Sequence, residues 1–201
     1  MLGREEFLAL ARSGGLYENA IARGFSAAGE DLAGSNLKGV ILEEVDLCGA
    51  DLSGAVLEGA NFMEVRLDRC RLDGANLCNL SASMCSLDGA SLRDATLDGA
   101  TLAQCSAHGA HFHSASMVDS NLIRFGARDA CFEGANLSQL SVLEGDLSGG
   151  RCLRANLADA FLQNVEMHGA DLTSVILEST VFFEAVLEDA VISDARGVAA
   201  G

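Results

Sequence analysis

The sequence predicts an all-β solenoid, a rod of short coils stacked like strands of a parallel sheet, and three observations predict it. An apolar residue recurs at every fifth position in unbroken frame from Leu32 to Ile192, 33 positions with no polar member and 21 Leu. A second series, from Ser35 to Ala195, sits two residues ahead of these centres and holds 17 Ala, five Val, three Cys and no charge. The chain has no Pro, so every coil keeps its donors for a ladder. A repeat this regular sets the architecture ahead of any local motif.

A period of five suits neither common element. On a helix, residues five apart are rotated by about 140° and would smear round the surface. On a straight strand they would alternate faces. The pattern works only if the backbone turns a corner every five residues, returning each centre to the interior. Four such sides make a coil of 20 residues, so 33 units make a little over eight coils and a rod of roughly 40 Å. Gly two positions after many centres, as at Gly34 and Gly54, suits a corner that needs positive φ.

Taken from the N-terminus, residues 1–30 read as a cap followed by degenerate first repeats. Arg4 to Ala11 (REEFLALA) sets Phe7, Leu8, Leu10 and Ala11 at helical spacing ahead of Gly14-Gly15. A short helix there would cover the core and edge of the first coil. Residues 16–31 keep only traces of the frame, with Phe25 and Ala27 the first legible pair.

Residues 31–195 are the repeat region. Its core conserves volume: where the small position is large the centre shrinks, as in Leu80 with Ala82 and Phe125 with Ala127. Residues 20 apart should stack, which sets Phe112 over Phe132. Cys105 with Ala107 pairs small with small, and looser packing is expected there. The same 20-residue register aligns Ile41, Met63, Ile123, Leu143 and Phe161 with Val181 and Phe183 on one outward side. Asn61, Ser81 and Thr101 interrupt this candidate partner stripe.

The tail, residues 196–201, is too short to cap the rod, so the last coil is expected to leave Leu177, Phe182, Leu187 and Ile192 uncovered. Its outward residues Ile176, Val181, Phe183, Val186 and Val191 are apolar where most other units carry Asp, Asn, Ser, Thr or Arg. They are the expected interface of a tail-to-tail homodimer.

Charge is distributed unevenly. Between Asp31 and Ala195 there are 25 acids and nine bases, which accounts for the whole formal charge of −16. Residues 65–155 hold ten acids and eight bases, whereas 156–195 hold Asp159, Glu166, Asp171, Glu178, Glu184, Glu188, Asp189 and Asp194 with no Lys or Arg. Tail-to-tail pairing would merge two such regions into one acidic block. Such a block repels nucleic acid and attracts basic clefts; Asp that belongs to the repeat unit and serves solubility is the plainer reading.

Catalysis finds little support. His111 and His113 flank inward Phe112, with Glu133 one coil away and no close Cys to complete a ligand set, while His108 lies round the corner and His168 stands apart. Cys70, Cys85, Cys105 and Cys152 fall on inward positions, while Cys48, Cys78 and Cys131 face outward on different sides. These are core fillers and scattered surface thiols, with no expected metal, cofactor or disulfide. There is no G-x-S-x-G, P-loop or H-E-x-x-H sequence. The start of the chain is unlike a secretory signal, and no stretch approaches the ~20 apolar residues of a membrane span. The expectation is a cytoplasmic, non-enzymatic protein.

The unit A-[D/N]-L-x-x, as in Ala50-Asp51-Leu52-Ser53-Gly54 and Ala75-Asn76-Leu77-Cys78-Asn79, resembles that of the pentapeptide repeat proteins. The resemblance implies a right-handed quadrilateral parallel β-helix. In length and acidity the chain is similar to the quinolone-resistance and self-immunity members, which protect DNA gyrase and topoisomerase IV. These are dimers whose acidic surfaces occupy the enzyme's DNA saddle. The resemblance thus implies a protein partner rather than direct nucleic acid binding. Some members carry loops that break the frame, and this chain has none. Others are interaction scaffolds or accessory parts of secretion systems, notably type VI, which implies the alternative of a scaffold without DNA mimicry.

Overall fold

A computed structural model describes residues 1–14 and 19–197. The described chain forms one short helix, α1 (Arg4–Ser13), and then a quadrilateral β-solenoid. Side one of each coil carries a three-residue strand: β1 (Ile21–Arg23), β2 (Ile41–Glu43), β3 (Asn61–Met63), β4 (Ser81–Ser83), β5 (Thr101–Ala103), β6 (Asn121–Ile123), β7 (Ser141–Leu143), β8 (Phe161–Gln163) and β9 (Val181–Phe183). These nine strands pair in parallel in sequence order, each residue opposite the one 20 later. Sides two, three and four, with centres such as Leu47, Leu52 and Leu57, pair through single-residue parallel bridges at the same register.

The ladder follows the five-residue unit. The Leu52 N–H donates to the Arg71 carbonyl one coil on (2.7 Å), and the Arg71 N–H donates back to the Ala50 carbonyl (3.0 Å). Corners on sides two to four close on themselves, with Ala50, Ala55 and Ala60 N–H groups donating to the Leu47, Leu52 and Leu57 carbonyls at 3.0 Å each. The residue two after each centre has positive φ from Asn19 to Asp194. Glycine fills many of these corners, as at Gly54 (φ 64°), yet on side one the residues after Gly24 are Glu44, Glu64, Met84, Gln104, Arg124, Glu144, Asn164 and Glu184. Left-handed backbone costs an L-residue about 1–2 kcal/mol, and stacking against the coils above and below imposes it all the same.

Both predicted inward series are buried from Leu32 to Leu177. Leu80, Ala82, Phe125 and Ala127 all lie in the core, and the Phe112 and Phe132 rings stack with centroids 4.9 Å apart at 6°. Two of the three polar small positions donate inward to a corner carbonyl of the preceding coil, Ser120 to Leu97 and Thr180 to Leu157, both at 2.7 Å, whereas the Ser35 hydroxyl is buried without a hydrogen-bond partner. Cys105 and Ala107, the pair expected to pack loosely, are both buried. A cavity of about 10 Å³ lies lower, beside Leu147, Cys152 and Phe132. Gly145 and Gly150 replace the usual Ala of the small series at this level, where a Cβ would meet Val142 Cγ1 at 2.6 Å or the Leu147 carbonyl oxygen at 2.8 Å.

The N-terminal cap forms as predicted and extends to Ser13. Gly14 ends it in the left-handed region (φ 70°), its N–H directed at the Leu10 and Ala11 carbonyls. Phe7, Leu8 and Ala11 are buried over the first coil, and Phe7 meets Phe25 at 5.4 Å. Arg4 and Arg12 both pair with Glu30, pinning the two ends of the helix to the rod. Leu2 adds a bridge to Ala22. Coil geometry starts by Asn19, so most of the stretch read as degenerate repeats is already solenoid; residues 16–18 of it lie outside the described ones. No helix among the described residues is long and apolar enough to cross a membrane.

Candidate interaction surface

Only three positions per unit point outward, the one before the centre and the two after it, and any site must be built from these. The preference for Asp or Asn before the centre has a local cause. Its side-chain oxygen accepts the N–H two residues on, as from Asp46 to Cys48 (3.0 Å), Asp51 to Ser53 (3.0 Å), Asn76 to Cys78 (3.0 Å) and Asp171 to Thr173 (3.0 Å). This is an Asx turn that prepares the corner. Asp after the centre works between coils: Asp68, Asp88 and Asp98 accept N–H groups from Asp88, His108 and Val118 beneath them. Much of the acidity of the upper and middle coils is therefore structural.

Three carboxyls in such Asx turns, those of Asp46, Asp51 and Asp146, are held below the usual carboxylate range. Asp46 is lowered chiefly by the hydrogen bonds from Cys48 and then by Arg66, and Asp51 by those from Ser53 and then by Arg71. For Asp146, burial pulls upward, but Ser148 and Arg128 together outweigh it. Several thiols move the other way. Burial pushes Cys70 and Cys152 up to about 12, and burial with Asp46 pushes Cys48 up to about 11. Cys85 is raised by its hydrogen bond to stacked Cys105 and by burial.

Ion pairs run along the rod between coils. Arg71 reaches Asp51 at 2.9 Å, Arg124 reaches Glu144 at 2.8 Å, and Arg151 and Arg154 share Glu133 at 3.7 and 3.2 Å. Below Ala155 the pattern changes. His168 lies 2.9 Å from Glu166 and 3.7 Å from Glu188, and among the described residues no Lys or Arg pairs with the other acids there.

The eight C-terminal acids do not share one side. Glu184 is on side one, Glu166, Glu188 and Asp189 on side two, Asp171 and Asp194 on side three, and Asp159 and Glu178 on side four. Seven are exposed, and Asp171, engaged in its Asx turn, is half-buried. They form a belt. The five apolar residues assigned to a dimer interface also ring the rod: Val181 and Phe183 on side one, Val186 on side two, Val191 on side three and Ile176 on side four. Val181, Phe183 and Val191 are exposed, whereas Ile176 and Val186 are half-buried. The end of the rod itself presents Phe182 and Leu187, both half-buried, and Ile192, which is 46% exposed.

The stripe does share one side. Ile41, Met63, Ile123, Leu143 and Phe161 lie on β2, β3, β6, β7 and β8, with Val181 and Phe183 on β9. Ser81, Ser83, Thr101 and Ala103 on β4 and β5 divide it in two.

Sequence reasoning placed the histidines apart from any thiol, and here the register corrects it. His111 pairs with Cys131 in the next coil, and Glu133 lies below His113 on the same side. Glu133 is committed to its two arginines, and no group of three potential ligands among the described residues is arranged to hold a metal. His108 is structural, its Nδ1 accepting the Arg128 N–H at 3.1 Å.

The sequence model of pentapeptide repeats matches in eight copies, over residues 31–69, 41–77, 85–122 and 151–189. Among solved structures, HetL, a pentapeptide repeat protein involved in heterocyst differentiation regulation from the cyanobacterium Nostoc sp. strain PCC 7120, is 23% identical. That match covers 98% of this chain and 95% of HetL with a TM-score of 0.55. Full-length QnrB1, a plasmid-mediated fluoroquinolone resistance protein, is 18% identical over 88% of this chain and 93% of its own, with a TM-score of 0.56. No curated protein matches the chain.

Proposed function

The chain belongs to the pentapeptide repeat family, and from that premise we propose that it is a non-enzymatic, cytoplasmic binding protein whose acidic C-terminal coils imitate DNA toward a type II topoisomerase such as DNA gyrase. The observation that carries this reading is the charge density of the belt. Residues 156–195 make two coils, about 10 Å of rod, and bear eight acids with no Lys or Arg. That is roughly one charge per 1.2 Å, against one per ~1.7 Å along duplex DNA. The middle region, net −2 over 91 residues, has roughly one per 11 Å. Charge on all four sides suits this reading, because phosphates also surround the duplex axis. QnrB1, a fluoroquinolone resistance protein, supplies the analogy of function at the level of the fold.

The belt would be doubled by a homodimer in which a second copy covers Phe182, Leu187 and Ile192. Two belts would then meet in a central block of formal charge −16, from eight acids in each copy. The test is gyrase supercoiling with and without a quinolone over a salt series. Protection or inhibition that fades with salt, and is lost in the Glu178→Lys, Glu184→Lys, Glu188→Lys triple variant, establishes mimicry. No effect at protein concentrations far above the enzyme's overturns it and leaves an interaction scaffold, the reading favoured by the stripe on side one.

A further inference from the structure

We propose that the lower half of side one, from Ile123 to Phe183, is a docking strip for a basic amphipathic helix of a partner protein. This goes beyond DNA mimicry and does not rest on it. Four of the nine exposed large hydrophobic residues fall here: Ile123 at 37%, Phe161 at 42%, Val181 at 46% and Phe183 at 48%. Leu143 joins them, half-buried. The strand register arranges them as an oblique track. Ile123 and Leu143 occupy one column of outward positions, Phe161 and Val181 the other, and Phe183 returns to the first. Three steps between coils make the track about 14 Å long, which is the rise of about ten helical residues. The coil spacing of ~4.8 Å and the helical pitch of ~5.4 Å nearly match, so side chains at i, i+4 and i+7 would fall on successive coils.

The rim selects the partner. On the side-two flank stand Glu144, Glu166 and Glu184, and on the side-four flank Asp119, Asp159 and Glu178, all exposed. Arg124 and Arg128 on the side-two flank pair with Glu144 and Asp146, which leaves Glu166 and Glu184 as the net acids of that rim. A second copy laid on the strip would set acid against acid, which complementary interfaces avoid. An apolar track between acidic rims takes an apolar helical face flanked by Lys or Arg. The same two columns in β4 hold Ser81 and Ser83, so the track is a property of these coils and not of the fold.

The experiment uses the full chain and a fluorescein-labelled 14-residue Leu/Lys peptide with Leu at i, i+3, i+4, i+7 and i+11. Its controls are a scrambled peptide of equal charge and a Leu/Glu counterpart. Anisotropy should give saturable binding of the amphipathic Leu/Lys peptide, at least tenfold weaker for both controls and several-fold weaker at high salt. The Leu143→Ser, Phe161→Ser variant, which copies β4, should melt like the parent and lose at least tenfold in affinity. Thr173→Ser on side three should change binding by less than twofold. Equal binding of the scrambled or the Leu/Glu peptide overturns the proposal, as does unchanged affinity of the serine variant. A mass of the protein alone that falls with the serine variant would make the strip a self-contact and also overturn it. Gyrase activity of the serine variant reports separately on the belt.

Discussion

Residues 65–155 and residues 156–195 have the same backbone, corner and core, yet they present opposite surfaces. In the middle coils acids hold the rod together: Asp68, Asp88 and Asp98 bond the coil beneath, and Arg71, Arg124 and Arg128 pair with Asp51, Glu144 and Asp146. In the C-terminal coils seven of eight acids are exposed, the bases are gone, and Phe161, Val181 and Phe183 stand in the open. A solenoid in which each repeat touches only its neighbours can change its surface locally without altering its scaffold. What differs between the regions is therefore what recognition can use.

The core offers the largest test of that comparison. Phe112→Asp places a carboxylate in a fully buried layer against Phe132. Burying an unpaired charge costs on the order of 5 kcal/mol or more, so loss of the cooperative melt by circular dichroism is expected. Phe182→Asp changes the equivalent series in the last coil, where the ring is half-buried in the single chain, and should lower the melting temperature by clearly less than Phe112→Asp does. Equal effects would mean that the last coil is as closed as the middle.

The next effect is on assembly. Val181→Asp with Val186→Asp charges the last coil on two adjacent sides. Light scattering should then report 20.8 kDa where the parent gives twice that mass. Because both residues point sideways from the rod, the sharper variant is Ile192→Asp, which lies on its end face and should give the same mass. A parent that is already monomeric would leave the belt at eight acids and weaken its likeness to DNA.

The fold was almost wholly legible, because period and volume are written in one dimension: Leu80 with Ala82 and Phe112 over Phe132 follow from counting. The site was legible only in part. Ile41 to Phe161 align by simple register, but the eight acids looked like a patch until the corners distributed them over four sides. Cys131 was missed beside His111 because the two sit on the same side 20 residues apart, a relation that the stripe argument used and the thiol argument did not. The corners on side one were missed for another reason. Nothing in Glu44, Met84 or Arg124 favours positive φ, and only the stacked coils impose it.

The smallest effect separates structural from recognising acids. Asp46 accepts the Cys48 N–H and pairs with Arg66. Asp46→Ala removes the Asx turn and should cost about 1 kcal/mol, whereas Asp46→Asn keeps the acceptor, as Asn76 does, and should cost less than half of that. Glu184→Gln, in the belt, should leave stability within about 0.5 kcal/mol while weakening any basic partner. The pH dependence follows from the same bonds. With the folded carboxyls of Asp46, Asp51 and Asp146 held below their ordinary value, the unfolded chain takes up protons first. Their contribution is complete above an ordinary carboxylate pKa of about 4 and is lost as pH falls through the lower folded values. Urea midpoints should therefore stay flat near neutrality and drop below about pH 4, less steeply in Asp46→Asn than in the parent. An unchanged acid slope in that variant would mean that charge on the upper coils is as free of the scaffold as charge on the belt.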